Sequence, residues 1–504
     1  MKMTSTGIDN LDLVLGGEGL ERGSVVFVTG GSGSGKTVLA QQICFANGTV
    51  ESPAIYYTML AESHTKMIGH MEKFDFFDRS ALGSRFQLLD LRGFLVGDEG
   101  SKVQLEGEAT LSHMTDVIAR SAIEERPSVV VVDAVKALRD VMTGEQFRRV
   151  IFDLATRVAH SGAILLLVGE YTEDEVRSLP EFAVGDGTIH LANDPVGRFQ
   201  QRSLRVVKMR GADPLEGQHT FQITAAGIEV YPRFESTLSL VESTSDVDAE
   251  HRIATGIPEL DEMTGGGLPK SSATLVVGPS GSGKTVIGLH FIAEGIARGE
   301  RCMYLSFQQT EKRLIDRAKS FGWDFAPAVE SGQLTLNHLN PVEVSLDKIG
   351  TELRETAIHD RIDRVVVDSL SEIAPAAHDT NRFPDYLSAL TTLFRCIGAN
   401  SLLTSETTEF FGPGFELPHG LAFVADNIIV LRYAELEGSV RRVLVVIKMR
   451  DGKHQRDLVE VEIKSHGLEV VGNLDGLTGV LGGTPTVTER HSTPGQTHQH
   501  GGAG

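Results

Sequence analysis

Two kinds of apolar pattern alternate along this chain. The first is a short unbroken run, seen at Ser24–Thr29, at Val129–Val132, at Ala273–Val277 and at Val365–Val367. A run of this kind, without polar alternation, predicts a strand buried on both faces, as in a parallel sheet. The second is helical spacing, with Val38, Leu39 and Ile43 in one place and Val286, Ile287, Leu289 and Ile292 in another. Strands alternating with helices predict an α/β fold, a mainly parallel sheet flanked by helices.

The pattern is written twice. Thr6-Gly7-Ile8-Asp9-Asn10-Leu11-Asp12 returns as Thr255-Gly256-Ile257-Pro258-Glu259-Leu260-Asp261. Val206-Val207-Lys208-Met209-Arg210-Gly211 returns as Val446-Ile447-Lys448-Met449-Arg450-Asp451, and Ala226–Val230 is matched by His466–Val470. The repeat is longer than any solenoid unit, so each copy is expected to bury its own core as a domain. The expected layout is a first domain over 1–235, an acidic linker over 236–252, a second domain over 253–472 and a tail over 473–504. The tail is rich in Gly, Thr and His and lacks the apolar residues that offset ordering entropy, which predicts disorder. Its His491, His498 and His500 are scattered and read as polar tail residues rather than metal ligands.

Between the first strand and helix of each half lies a glycine loop of the form G-x-x-x-x-G-K-[ST]. One is Gly30-Gly31-Ser32-Gly33-Ser34-Gly35-Lys36-Thr37, the other Gly278-Pro279-Ser280-Gly281-Ser282-Gly283-Lys284-Thr285. Glycines let backbone N–H groups turn inward around phosphate oxygens, and the following helix offers its positive end. Lys36 and Lys284 are expected to reach the β- and γ-phosphates, with the Thr37 and Thr285 hydroxyls on Mg²⁺. Strand, loop and helix in that order is the context the motif requires, and it occurs in both halves. Two sites for ATP with Mg²⁺ are therefore predicted.

Each half also has an apolar strand that ends in an acid, Asp133 in the first and Asp368 in the second. An aspartate at the carboxyl end of a buried parallel strand can hold the Mg²⁺ hydration shell beside the loop threonine. Lys208 with Arg210, and Lys448 with Arg450, each close a later apolar strand. A solvated strand end accounts for one such pair. Its repetition favours a second role, contact with a γ-phosphate across a subunit boundary in the manner of an arginine finger.

Composition narrows the function classes. The formal charge is −21, which opposes nucleic acid over most of the surface. Cys44, Cys302 and Cys396 have no metal or redox spacing, and their odd number suits a reducing compartment. No signal peptide and no bilayer-length apolar run is evident, so a cytoplasmic protein is expected.

The opening phrase, the glycine loops, the Asp-ended strands and the Lys-Met-Arg strands together resemble the KaiC family of RecA-like ATPases, over about residues 1–470. The resemblance implies tandem RecA-like domains, assembly into double-ring hexamers, and ATP held between neighbouring subunits. It also exposes two departures. Domains of this family usually carry a Glu-Glu pair after the strand that follows the loop helix, the first Glu polarising the attacking water or hydroxyl. Matching Tyr57–Glu62 to Tyr304–Gln309 puts Ala61-Glu62 in one half and Gln308-Gln309 in the other. A glutamine has nearly the size of glutamate but takes no proton, so Glu62 is left as the candidate base. The clock kinase of the family autophosphorylates an adjacent Ser-Thr pair in its second domain, where this chain has Ala422-Phe423. No Ser or Thr occurs from Glu409 through Gly438. Three readings remain open: a weak ATPase forming a signalling or regulatory ring that acts on an unidentified protein partner, a non-enzymatic scaffold glued by ATP, and a DNA motor. The last fits the acidic charge poorly.

Overall fold

The computed structural model describes residues 2–59, 63–91, 108–139, 142–196, 199–241, 251–340, 345–377, 381–407, 421–436, 438–450, 452–474, 477–478 and 486–487. The chain divides into two units, Met1–Thr237 and Leu238–Gly504. In the first, nine strands form one sheet: β1 (Val25–Gly30), β2 (Ala54–Thr58), β3 (Phe86–Asp90), β4 (Val129–Asp133), β5 (Ile164–Glu170), β6 (Gly187–Val196), β7 (Phe199–Met209), β8 (His219–Thr224) and β9 (Gly227–Tyr231). Their spatial order is β9-β8-β7-β6-β1-β5-β4-β2-β3. From β6 across to β3 the neighbours are parallel, and β7, β8 and β9 extend the sheet as an antiparallel meander.

The second unit repeats this arrangement with β10 (Ala273–Gly278), β11 (Cys302–Ser306), β12 (Leu334–His338), β13 (Arg364–Asp368), β14 (Asn400–Glu406), β15 (Asn427–Leu436), β16 (Ser439–Met449), β17 (Val459–Lys464) and β18 (Gly467–Asn473). Their order is β12-β11-β13-β14-β10-β15-β16-β17-β18. The mainly parallel sheet flanked by helices that the sequence predicts is present in both halves.

Alternation along the strands explains the unbroken apolar runs. Val26, Val28, Tyr56, Val129 and Val131 enter one core, which includes Leu39 and Ile43 of the helix Lys36–Asn47. Val25, Phe27, Ile55, Val130 and Val132 enter the core on the opposite face. Neither face of these strands meets water, so neither can be polar. Each side chain contributes about 1.5–3 kcal/mol on burial.

The repeated opening phrase is a turn lock. Asp12 Oδ1 accepts from the Thr6 backbone N–H at 2.9 Å and its hydroxyl at 2.6 Å. Asp261 Oδ1 does the same for Thr255, both at 2.8 Å. Toward the end of the first unit the chain stays packed past residue 235, with Phe234 and Thr237 buried. The tail departs from expectation in one place: Leu477–Thr478 pairs antiparallel with Thr486–Val487, so 473–504 is not uniformly without structure. Residues 242–250 of the expected linker and the tail histidines lie outside the described residues. Among the described residues no helix is long and apolar enough to cross a membrane.

The parallel strands point their carboxyl ends to one edge of each sheet. Gly30, Thr58, Asp133 and Glu170 therefore come together there, as do Gly278, Ser306, Asp368 and Glu406. That edge is where open α/β sheets place their ligands.

Candidate functional site

The glycine loop begins where β1 stops. Gly30 has φ 146°, and a Cβ there would lie 2.0 Å from the Leu191 carbonyl oxygen, so no other residue fits without moving β6. Gly35 (φ 104°) ends the loop at the cap of the helix Lys36–Asn47, and Gly283 (φ 116°) does so for Lys284–Ala297. Positive φ at this cap turns the chain directly into the helix, leaving its first N–H groups free for an anion.

At the mouth of each loop the predicted residues converge. The Lys36 ammonium donates to the Gly31 carbonyl at 2.6 Å. Thr37 Oγ1 donates to Asp133 Oδ2 at 2.8 Å. Lys284 donates to the carbonyls of Gly278 and Pro279 at 2.8 and 2.9 Å, and Thr285 Oγ1 to Asp368 Oδ2 at 2.8 Å. Each aspartate is further held from below by a tyrosine the sequence did not single out: Tyr56 to Asp133 at 2.5 Å and Tyr304 to Asp368 at 2.8 Å. Thr404 adds a third donor to Asp368 at 2.5 Å. The first half has Val168 at that register.

Burial shapes the charges. It pushes the Lys36 ammonium below the ordinary lysine range, opposed by Glu170 and Asp133. It does the same to Lys284, opposed by Glu406 and Asp368. Burial also raises the Asp133 carboxyl, against the hydrogen bonds from Tyr56 and Thr37 and the charge of Lys36. A divalent cation on the Thr37 side would favour the ionised carboxylate again. In the second half a cavity of about 200 Å³ opens over the loop, lined by Lys284, Thr285, Gln308, Asp368, Ser369 and Glu406 among others. The Ser369 hydroxyl on this wall is buried without a hydrogen-bond partner among the described residues, as are Ser34 and Ser282 in the loops. Paired hydroxyl and carboxylate, free N–H groups and an unsatisfied hydroxyl suit a phosphate carrying Mg²⁺.

A family model described as the KaiC ATPase matches residues 4–235 and again residues 253–475. The chain belongs to the KaiC ATPase family. Relatives include the circadian clock oscillator protein KaiC of Parathermosynechococcus lividus, 28% identical over 487 residues that cover 95% of this chain and 87% of that protein. The circadian clock protein KaiC3 of a Synechocystis strain is 28% identical over 494 residues, covering 96% and 94%.

The two KaiC repeats align differently from expectation at the base position. Thr58 lies opposite Asp133 in β4, and Ser306 opposite Asp368 in β13. Tyr56, not Tyr57, is thus the counterpart of Tyr304, and both bond the aspartate. Counted forward from the strands, Leu60 and Ala61 answer Gln308 and Gln309. Counted back from the helix caps, Ser63 and Thr310, it is Ala61 and Glu62 that do. The first half has one extra residue in this loop, so the proposed pairing holds at its helix end and is off by one at its strand end. Residues 60–62, Glu62 included, lie outside the described residues.

The four cations do not join the loops of their own repeats. Lys208 Nζ donates to the carbonyls of Phe182, Ala183 and Gly185, and Arg210 pairs with Asp186 at 3.4 Å. Lys448 donates to Ala422 and Ala425 at 2.9 and 2.7 Å, and Arg450 pairs with Asp426 at 3.2 Å. In both repeats a β-bulge just before the lysine, at Val207 and Ile447, re-aims the strand end. Arg210 and Arg450 keep 59% and 66% of their side-chain surface exposed, enough to reach outward.

Glu170 and Glu406 escaped the sequence reading. Each ends a buried strand beside the loop, opposite Gly30 and Gly278, and acts on the buried lysine. For Glu170 the signal was the one that identified Asp133 and Asp368, an apolar run ending in an acid; Glu406 follows Thr404 and Ser405 in a strand of mixed character and carries no such signal.

Proposed function

We propose that this protein is a slow, asymmetric ATPase that forms a nucleotide-dependent ring with a signalling or regulatory role. The observation that carries the reading is the duplicated constellation of loop lysine, threonine and buried aspartate. Lys36 and Lys284 would bind the β- and γ-phosphates. Mg²⁺ would be held by Thr37 and Thr285, with Asp133 and Asp368 directing its water shell, and would offset the charge that develops on the phosphates. Glu62 is the candidate base in the first half. Gln308 and Gln309 can orient water but take no proton, so the second half is expected to retain ATP for long periods. That same amide pair favours the scaffold reading for the second half taken alone.

Ring assembly is supported by the exposed arginines. In this reading Arg210 and Arg450 extend from one subunit toward the γ-phosphate of the next, while Lys208 and Lys448, expected to do the same, instead brace the strand end through carbonyls of their own unit. A homohexamer is the expected form, acting on a further protein partner in the cytoplasm. Arg210→Ala is expected to leave the fold intact, because an exposed ion pair is worth about 0–1 kcal/mol, while reducing oligomer mass or phosphate release. If mass and turnover both match the wild type, Arg210 is a strand-end charge and nothing more.

Clock-type autophosphorylation is expected to be absent. The helix Leu421–Val424 carries Ala422 and a 90% exposed Phe423 where the family's acceptor hydroxyls would stand. Incubation with radiolabelled ATP and peptide mapping is expected to give no phosphoserine or phosphothreonine from the second half, residues 253–472. Label there would contradict both the alignment and the proposal.

A further inference from the structure

The second half has a carboxylate that the glutamine pair does not supply, placed behind it rather than in it. Gln308 lines the cavity over the glycine loop together with Lys284, Thr285 and Asp368. Its amide Nε2 donates to Glu372 Oε1. Glu372 stands on the short helix Leu370–Ile373, which leaves β13 directly after Asp368 and Ser369. That helix is pinned to β14, since Ser371 Oγ accepts from the Glu406 backbone N–H at 2.8 Å. The loop carrying Gln308 is fixed as well, by Phe307 N–H to the Asp368 carbonyl at 3.1 Å and Gln309 N–H to Ser306 Oγ at 3.0 Å. Counted from the strand-end aspartate, the first half has Ala137 at the place of Glu372, so this pair belongs to the second half.

We infer that Glu372 is a positioning residue that turns Gln308 into a water-orienting group, a role that rests on reading the second half as a site of slow ATP hydrolysis. An amide has a donor end and an acceptor end. A carboxylate accepts only, so contact with Glu372 fixes the NH₂ end and leaves Oε1 as the end offered to the cavity. There it accepts a hydrogen from the attacking water. The water oxygen bonds the γ-phosphorus, and the bond from that phosphorus to the β–γ bridging oxygen breaks with its electron pair going to ADP. The water's proton passes to a phosphate oxygen, giving ADP and inorganic phosphate, and Gln308 takes no proton. A glutamine that orients water in this way is an established solution in nucleotide hydrolysis.

The test uses the full chain carrying Lys36→Ala, so that turnover comes from the second half, with nucleotide counted on the same samples. Glu372→Gln removes the preference for one amide orientation. It is expected to lower kcat by about 2–10-fold, since two equally populated amide orientations halve the productive fraction and a neutral hydrogen bond holds the side chain less firmly than a charged one, with KM for ATP and bound nucleotide unchanged. Exchanging the pair, Gln308→Glu with Glu372→Gln, puts the carboxylate in the cavity with an amide behind it. That double variant is expected to exceed the parent in kcat. Gln308→Glu alone sets two carboxylates against each other, which holds one protonated, and is expected to gain less. An unchanged kcat in Glu372→Gln with nucleotide still bound overturns the inference, as does loss of nucleotide alongside kcat or an exchanged pair no faster than Glu372→Gln. A parent that binds nucleotide in its second half but releases no phosphate contradicts the hydrolysis reading instead.

Discussion

Protein carrying both Lys36→Ala and Lys284→Ala is expected to leave purification without bound nucleotide, and each single variant to keep one nucleotide per chain. Both lysines are largely buried at the mouth of their loops, each facing two carboxylates across the site. Their ammonium groups are the buried positive charges that a triphosphate would meet there. Removing one deletes charge-assisted hydrogen bonds worth about 1.5–3 kcal/mol each. Without two such bonds to one phosphate chain, binding weakens by roughly 10²–10⁴-fold. Nucleotide released by denaturation and counted by chromatography decides the matter. Full occupancy in the double variant would contradict the assignment of both loops.

Glu62→Gln is expected to remove most of the phosphate release at saturating ATP. Loss of a general base costs about 10²–10⁴-fold, and among the four positions that answer the family's acid pair, Ala61, Glu62, Gln308 and Gln309, Glu62 alone is an acid. Nucleotide occupancy should stay as in the wild type, because glutamine keeps the size of the side chain and the loop lysine is untouched. If the rate is unchanged while Lys284→Ala abolishes it, the working site belongs to the second half.

The strands and loops of this chain were legible because their physics is local. An unbroken apolar run, glycines at fixed intervals and a following helical pattern are all read within some twenty residues, and they located Lys36, Thr37, Lys284 and Thr285 directly. Asp133 and Asp368 were found because an acid ending an apolar run is also a local signal. Glu170 carries that signal too and Glu406, after Thr404 and Ser405, does not, but the place of both at the loops depends on β5 and β14 lying beside β1 and β10, which is a fact of strand order. Tyr56 and Tyr304 look like ordinary core residues and are recognised only by the aspartate each one holds. Glu372 lies 64 positions from Gln308, a separation at which no linear pattern joins two residues.

The misregistration of Tyr57 with Tyr304 has a similar origin. The extra residue sits between Thr58 and Ser63, and a linear match cannot say on which side of the gap the two halves fall out of step. Hydrogen bonds to Asp133 and Asp368 fix the strand side, and the helix caps fix the other. The basic pairs show a different limit. Sequence repetition singled out Lys208 and Lys448 in both halves, but did not show that each lysine binds carbonyl groups of its own unit. That leaves Arg210 and Arg450 as the more exposed members of the pairs.

Steady-state phosphate release from the wild-type protein at saturating ATP with Mg²⁺ tests the central claim most directly, with Glu62→Gln and the double lysine variant measured beside it. The account predicts slow but continuous release in the wild type, a large fall in Glu62→Gln, and none in Lys36→Ala/Lys284→Ala. A wild-type protein that holds nucleotide in both halves yet releases no more phosphate than the double lysine variant would contradict it and leave an ATP-stabilised scaffold.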